Sequence, residues 1–267
     1  MLSRSDQRLK EIRLGLLCEN SAYGRQTDRV HRRSGSLAAD GFAAWAQTAV
    51  DLELVLAVDA SGSVSHERFV LQQRGYVAAF RDRRLLQAIR SGAAGSIAVT
   101  MTQWTGPAMQ VQVVPWALIA DEASMLAFAE AIEKAPRQLF GGGTSISGAI
   151  DHAMTLFAKG EYKGVRRVID ISGDGANNRG RASADARDEA VQAGVVINGL
   201  PILAVEPFLD QYYWTNVIGG PNAFVIAVES YEAFAEAVLK KLIIEISARP
   251  ADGQIDSAAL AARPAGR

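Results

Sequence analysis

Short apolar runs alternate with amphipathic stretches through the middle of the chain, and the apolar runs predict strands. Residues 52–58 read LELVLAV, which has the length and the aliphatic composition of a buried strand. Residues 109–119 alternate between apolar and polar positions, and Pro115 within them favours the edge of a sheet. The other predicted strands are residues 96–104, 165–172, 194–205 and 223–228.

The stretches between these strands carry apolar residues at helical spacing. In residues 66–89, Phe69, Tyr76 and Phe80 recur at intervals of seven and four, which places them on one helix face. Ser65 directly precedes this stretch and is a candidate N-cap. The other predicted helices are residues 121–134, 146–157, 183–193 and 230–247.

The alternation of strands and helices predicts an α/β fold. Chains of this kind form a mostly parallel sheet that is covered by helices on both faces. Residues 96–119 contain two strands joined by a turn at residues 106–107, so we also expect one antiparallel hairpin. Binding sites in such sheets lie beyond the carboxyl ends of the strands.

The two ends of the chain lack a sustained period and are predicted to lie outside the domain. We assign residues 50–248 to one domain, 1–49 to a poorly ordered or processed extension and 249–267 to a disordered tail. Residues 1–50 hold eight Lys and Arg against five Asp and Glu, whereas the remainder holds twenty against twenty-four. Residues 44–46 read AWA, the form of a signal-peptidase site. A cleaved leader would imply export, and a retained extension would imply a cytoplasmic protein.

The composition excludes several classes of function. A net charge of −1 gives no electrostatic argument for binding nucleic acid or an anionic membrane. Cys18 is the single cysteine, and His31, His66 and His152 are far apart, so neither a disulfide framework nor a zinc motif is present. No apolar run approaches the roughly 20 residues that span a bilayer. We therefore expect neither a nucleic-acid partner nor a membrane-spanning segment.

Three polar loops are predicted to meet at one edge of the sheet. Asp59, Ser61 and Ser63 directly follow the first strand. Thr144 follows three glycines and leads into a helix, and Asp174 follows a later strand. Because the carboxyl ends of parallel strands share an edge, we expect these five side chains to lie close together.

The five side chains offer oxygen donors alone, two carboxylates and three hydroxyls. Hard oxygen donors suit Mg²⁺, Mn²⁺ or Ca²⁺ rather than zinc or copper. Few protein charges would bind the ion directly, so the ion would stay electrophilic and could attract a carboxylate from a partner. The glycines before Thr144 would let the backbone approach the ion without a Cβ clash.

The motif Asp59-x-Ser61-x-Ser63, followed by Thr144 and Asp174, resembles the metal-ion-dependent adhesion site of von Willebrand factor type A domains. The resemblance implies that the hydroxyls of Ser61 and Ser63 bind Mg²⁺, with Mn²⁺ or Ca²⁺ as alternatives. Thr144 would bind directly or through water, and the two aspartates would act mainly through bridging waters and hydrogen bonds. An acidic side chain of a partner protein would complete the shell.

The resemblance extends over about residues 51–247. It implies a doubly wound, Rossmann-like sheet with one antiparallel edge strand, in agreement with the predicted hairpin. It also implies a protein-binding module without catalysis, similar to a bacterial branch of the superfamily whose members are often exported.

The same residues are compatible with different roles, and these alternatives stay open. Turn formation and helix capping use the same acids and hydroxyls. Glycines before a helix can also cradle a phosphate, although no Gly-x-x-x-x-Gly-Lys-Ser/Thr motif is present. A metal-dependent phosphatase is the catalytic alternative, but Ser61 stands where haloacid-dehalogenase-type phosphatases have a second Asp, and no Lys lies near Asp174. A structural component with a vestigial metal site is a further alternative.

Several side chains near the predicted site have two interpretations each. Glu206 either tunes the site or is a solvated acid, and Asn177 and Asn178 either form a turn or line its rim. Gln103 and Trp104, at the end of a strand, either anchor a partner or pack internally. The same choice applies to four aromatic residues after the fifth strand: Phe208, Tyr212, Tyr213 and Trp214.

Overall fold

A computed structural model describes residues 47–159 and 162–248, and five strands and seven α-helices alternate along them. The strands are β1 (Thr48–Asp59), β2 (Ile97–Trp104), β3 (Gln110–Ile119), β4 (Tyr162–Gly173) and β5 (Val195–Pro201). The helices are α1 (His66–Ala79), α2 (Arg83–Arg90), α3 (Glu122–Lys134), α4 (Ile146–Lys159), α5 (Ser183–Gln192), α6 (Leu209–Asn216) and α7 (Phe234–Ser247). A 3₁₀ turn, Tyr231–Ala233, precedes α7. None of these helices is both long and apolar enough to cross a membrane.

The predicted N-terminal extension, apart from residues 47–49, and the predicted tail lie outside the described residues. Thr48 and Ala49 already belong to β1, where they pair with the first residues of β4. The domain limits given above therefore stay predictions at both ends.

The five strands form one sheet in the order β3-β2-β1-β4-β5. β1 pairs in parallel with both β2 and β4, and β5 continues the parallel pairing beyond β4. β3 is antiparallel to β2 at one edge and carries Pro115, next to a register shift between Val99 and Met101. The doubly wound, mostly parallel α/β sheet with one antiparallel edge strand is thus confirmed.

Alternate residues of β1 face opposite sides of the sheet and enter two separate cores. Leu52, Leu54 and Leu56 pack with α1, α2, α3 and α7 on one face. Val55 and Ala57 pack with α4, α5 and α6 on the other face. Helices on both faces leave the loops at the strand ends as the accessible part of the sheet.

The prediction of one continuous helix over residues 66–89 is wrong, because the structure has two helices there, α1 and α2. The first helix ends at Ala79, and Asp82 caps the second, since its side chain accepts a hydrogen bond from the Arg84 N–H at 2.8 Å. The predicted cap of α1 is confirmed, because Ser65 Oγ accepts from the Arg68 N–H at 3.2 Å.

The region after β5 also differs from the prediction. Residues 223–228 form isolated bridges instead of a regular strand, Val225 with Gly199 in β5 and Val228 with Ile202 directly after it. Gly220 and Asn222 have positive φ angles of 93° and 60°, which interrupt the extended backbone before these bridges. Between residues 205 and 223, where the sequence predicts neither a helix nor a strand, the structure contains α6.

Candidate metal centre

The structure brings the five predicted site residues together beyond the carboxyl ends of β1 and β4. Ser63 Oγ donates to Asp174 Oδ1 at 2.5 Å and lies 3.2 Å from Ser61 Oγ. The N–H of Asp174 lies 3.4 Å from Asp59 Oδ2. A Cβ built at Gly175, the next residue, would lie 3.5 Å from Thr144 Oγ1. We call this set, Asp59, Ser61, Ser63, Thr144 and Asp174, the oxygen cup.

The first loop of the oxygen cup is shaped by short-range hydrogen bonds. Asp59 Oδ1 accepts from the Ser61 N–H at 2.7 Å, which turns the chain sharply where β1 ends. The Ser61 carbonyl accepts from the Val64 N–H at 3.1 Å, and Ser65 then caps α1. The two serine hydroxyls are thereby placed between a buried strand and a capped helix.

The second loop depends on glycine. Gly141, Gly142 and Gly143 have φ angles of 76°, 95° and 82°, a region that other residues rarely adopt. Thr144 follows them and is fixed by Asn178, whose side-chain Oδ1 accepts from the Thr144 N–H at 2.9 Å. The Thr144 carbonyl accepts from the Asn178 N–H, also at 2.9 Å.

Asn177 continues this link between the second and third loops. Its Oδ1 accepts from the Ser147 N–H at 3.1 Å, in the first turn of α4. Asn177 Nδ2 donates to the carbonyls of Arg179 and Arg181. The two asparagines therefore hold two loops of the oxygen cup together, a role that turn chemistry alone does not predict.

Two buried carboxylates lie side by side in the oxygen cup. Asp59 and Asp174 are both 0% exposed. Burial and the neighbouring charge of Asp174 raise the pKa of Asp59 to about 7, and hydrogen bonds from Ser61 partly oppose this shift. Tyr231 donates to Asp174 Oδ2 at 2.7 Å, and burial together with the Asp174 charge raises the pKa of Tyr231.

Two arginines bind the backbone beside the serines of the oxygen cup. Arg68 Nη1 donates to the Ser63 carbonyl at 2.9 Å and lies 3.6 Å from Asp174 Oδ2. Arg137 Nη2 donates to the carbonyls of Ala60 and Ser61 at 2.9 and 3.3 Å. Neither arginine is among the predicted site residues, because contacts of this kind leave no local pattern in the sequence.

The guanidinium of Arg137 lies between two aromatic rings. Its Cζ is 5.4 Å from the ring centre of Phe69 and 4.9 Å from that of Phe140. Phe69 is buried, whereas Phe140 is 67% exposed. Phe140 thus presents an apolar surface immediately before the glycines of the second loop.

Glu206, in the loop after β5, reaches the third loop. Its Oε2 accepts from the Ala176 N–H at 3.1 Å. The loop acid is therefore held against the backbone that follows Asp174.

The aromatic residues near the oxygen cup divide into exposed and internal ones. Phe208 and Trp214 are 73% and 65% exposed. Tyr213 and Trp104 are fully buried, so packing is the correct interpretation for them. Tyr212 lies 2.8 Å from Ser183 through the two hydroxyl oxygens. Gln103 is also internal, and its Nε2 donates to the Pro136 carbonyl at 2.9 Å.

The donor atoms decide which chemistry the oxygen cup can support. Within residues 47–159 and 162–248, no cluster of three or more His, Cys, Asp or Glu side chains is placed to hold a metal ion. Neutral oxygens, from hydroxyls, carbonyls or water, would therefore have to supply part of any cation site here. Hydroxyls with two carboxylates suit hard divalent cations.

The family description "Protein of unknown function (DUF1194)" matches residues 49–250 of the chain. No protein with a curated description matches the sequence.

Several solved structures are similar in fold. The pilus adhesin SpaC from Lactobacillus rhamnosus GG, in its open conformation, aligns with a TM-score of 0.52 at 14% identity, over 74% of this chain and 30% of the adhesin chain. Proximal thread matrix protein 1 from the mussel byssus aligns with a TM-score of 0.50 at 16% identity, over 74% and 47% of the two chains. A von Willebrand factor type A protein from Catenulispora acidiphila is 15% identical with a TM-score of 0.49, over 74% and 43% of the two chains. The chain spans less than half the length of each of these proteins.

Proposed function

This chain belongs to the DUF1194 family and has the von Willebrand factor type A-like fold, and from this premise we propose that it is a divalent-cation-dependent protein-binding module. The observation that carries the proposal is the oxygen cup at the carboxyl ends of β1 and β4. Mg²⁺ is the cation we propose, with Mn²⁺ and Ca²⁺ as alternatives of the same chemistry.

The residues present fit such a cation. Asp59 and Asp174 are buried next to each other, and their mutual repulsion contributes to the raised pKa of Asp59. A divalent ion would relieve this repulsion, because it attracts both carboxylates. The serine and threonine hydroxyls are neutral oxygen donors that do not add further negative charge.

We assign the same roles as the sequence resemblance implies. Ser61 and Ser63 would bind the cation through their hydroxyls, and Thr144 would bind directly or through water. Asp59 and Asp174 would act mainly through waters and hydrogen bonds. When bound, the cation would supply an electrophile that accepts a carboxylate of a protein partner.

The surroundings of the oxygen cup favour a protein partner. Phe140 and Phe208 lie in loops at the carboxyl ends of the strands and are 67% and 73% exposed. Exposed aromatic side chains beside a polar site commonly anchor a bound protein. Arg68 and Arg137 are engaged with backbone carbonyls of the first loop, so they serve its structure and do not favour the phosphatase alternative.

Calorimetric titration of Mg²⁺, Mn²⁺ and Ca²⁺ into the metal-free full chain tests the proposal. We expect saturable binding by the wild type and its loss in Asp59→Asn and in Ser61→Ala. Glu122→Gln is the matched control, because it removes one charge from an exposed position on α3. Wild-type protein that binds none of the three cations would refute the proposal. A partner that binds through the oxygen cup must be released by a chelator and must not bind Ser61→Ala.

A further inference from the structure

Glu206 is a carboxylate that touches the edge of the oxygen cup from a loop outside the five-residue motif. It precedes α6, and its backbone carbonyl accepts from the Leu209 N–H at 3.2 Å. The side chain contacts a different segment, since Oε2 accepts from the Ala176 N–H at 3.1 Å. Glu206 therefore ties the start of α6 to the segment that follows Asp174.

The second carboxylate oxygen of Glu206 faces the same space as the hydroxyl of Thr144. A Cβ built at Gly175 would lie 3.4 Å from Glu206 Oε1 and 3.5 Å from Thr144 Oγ1. The two oxygens therefore lie within ~7 Å of each other, and both border the space that a side chain at Gly175 would occupy. Among the described residues, Oε1 accepts no hydrogen bond, so its charge is free to act on the oxygen cup.

We propose that Glu206 is a positioning residue for the cation, an inference that rests on the proposed function. It acts in two ways: it holds the Ala176 N–H, and it adds a third negative charge near Asp59 and Asp174. It does not act as a direct ligand together with these two aspartates, since the described residues contain no ligating cluster of three such side chains.

Arg68 places a charge of the opposite sign beside the oxygen cup. Arg68 lies 3.6 Å from Asp174 Oδ2 and places a positive charge there. Removing Glu206 should therefore weaken cation binding, and removing Arg68 should strengthen it. Changes in cation affinity of opposite sign in the two variants would identify an electrostatic effect, because damage to the loops would weaken binding in both variants.

The experiment is calorimetric titration of Mg²⁺ and Ca²⁺ into full-length variants of the metal-free protein. Glu206→Gln keeps an oxygen that can accept from the Ala176 N–H but removes the charge. One unit charge about 7–9 Å from a divalent ion, in largely aqueous surroundings, corresponds to roughly a five- to eightfold change in affinity. We expect the Mg²⁺ Kd of Glu206→Gln to rise roughly five- to eightfold and that of Arg68→Gln to fall several-fold. The Glu122→Gln control should stay within about twofold of the wild type.

Thermal unfolding in a chelator separates this role from a merely structural one. A positioning role predicts that Glu206→Gln unfolds no earlier than the wild type without cations, because it removes a charge that repels Asp59 and Asp174. The same variant should gain less thermal stability than the wild type when Mg²⁺ is added.

Two results would overturn the inference, and they are distinguishable. If the wild type binds Mg²⁺ and Glu206→Gln binds it equally well, Glu206 has no such role and the proposed function stands. If the wild type binds neither Mg²⁺ nor Ca²⁺ while it remains folded, the inference fails together with the proposed function.

Discussion

Replacing Lys241 with methionine should destabilise the protein by about 3–5 kcal/mol, because it leaves buried carboxylates without a cation. Lys241 Nζ on α7 lies 2.5 Å from Asp170 Oδ1 on β4 and 3.6 Å from Glu245 Oε2. The side chains of all three residues are 0% exposed. Water cannot replace the missing ammonium group in such a place without disturbing the packing of α7 on the sheet.

The charge states of the two carboxyl groups make this cost depend on pH. Burial raises the pKa of both Asp170 and Glu245, that of Glu245 to about 7, although Lys241 opposes the shift. At low pH the carboxyl groups take up protons, so the loss of the ammonium leaves fewer uncompensated charges. The destabilisation by Lys241→Met should therefore be larger at pH 8 than at pH 5.5.

Urea unfolding followed by circular dichroism measures this effect, with Lys240→Met as the matched control. Lys240 is the exposed neighbour on the same helix, so its replacement should change the free energy of unfolding by no more than about 0.5 kcal/mol. In a thermal scan, Lys241→Met should lower Tm by about 6–20 °C. Equal losses from the two lysines, or a loss that is the same at both pH values, would refute the reasoning.

Two further predictions concern packing and protonation. Gly75→Ala should lower the free energy of unfolding by about 1–3 kcal/mol, because its Cβ would lie 2.7 Å from Phe234 Cδ1. In urea unfolding, the same substitution should lower it by less when it is made in a Phe234→Leu background. An equal loss in both backgrounds would argue against this contact as the cause. In a chelator, the free energy of unfolding should fall as the pH rises from about 4 to 7, because Asp59, with its pKa raised to about 7, keeps in the folded state a proton that the unfolded chain has released. Urea titrations at pH 4.5, 6 and 7.5 should show a weaker fall for Asp59→Asn, and an unchanged slope would contradict the assignment of the shift to Asp59.

The sheet and the oxygen cup could be predicted because their signals are local in sequence. The strand at residues 52–58 is bounded by polar residues, and Asp59, Ser61 and Ser63 follow it without a gap. Parallel pairing of β1 with β4 then brings Asp174 beside Asp59. The alternation of strands and helices predicts that the carboxyl ends of the strands share one edge, but the pairing of β1 with β4 itself comes from the structure.

The break between α1 and α2 could not be predicted from the apolar pattern. Leu85, Leu86 and Ile89 are all buried, so apolar positions continue on both sides of the break. Asp82 in the sequence looks like any polar residue on an exposed helix face. Its role as a cap depends on the backbone turn that precedes α2, for which the sequence has no glycine or proline signal.

The sequence singled out Asn178 and Glu206 as candidates, but local patterns could not predict the long-range contacts that support the oxygen cup. Arg137 binds the Ala60 carbonyl across 77 positions of sequence, and Asn178 binds Thr144 across 34. Glu206 reaches the Ala176 N–H across 30 positions. Each contact is set by how three loops pack against one another, which the topology alone leaves undetermined.

α7 runs from the oxygen cup to the opposite end of the sheet. Tyr231, just before α7, binds Asp174 at the oxygen cup, whereas near its end the carbonyl of Glu245 accepts from Arg166 near the start of β4. Because Thr48 pairs with Tyr162 at the beginning of β4, β1 starts at that same far end. The oxygen cup therefore lies at the opposite end of the sheet from the start of β1 and the end of α7. A pull on the oxygen cup against the start of β1 would act along the axis of β1, so that its hydrogen bonds to β2 and β4 would resist together in shear.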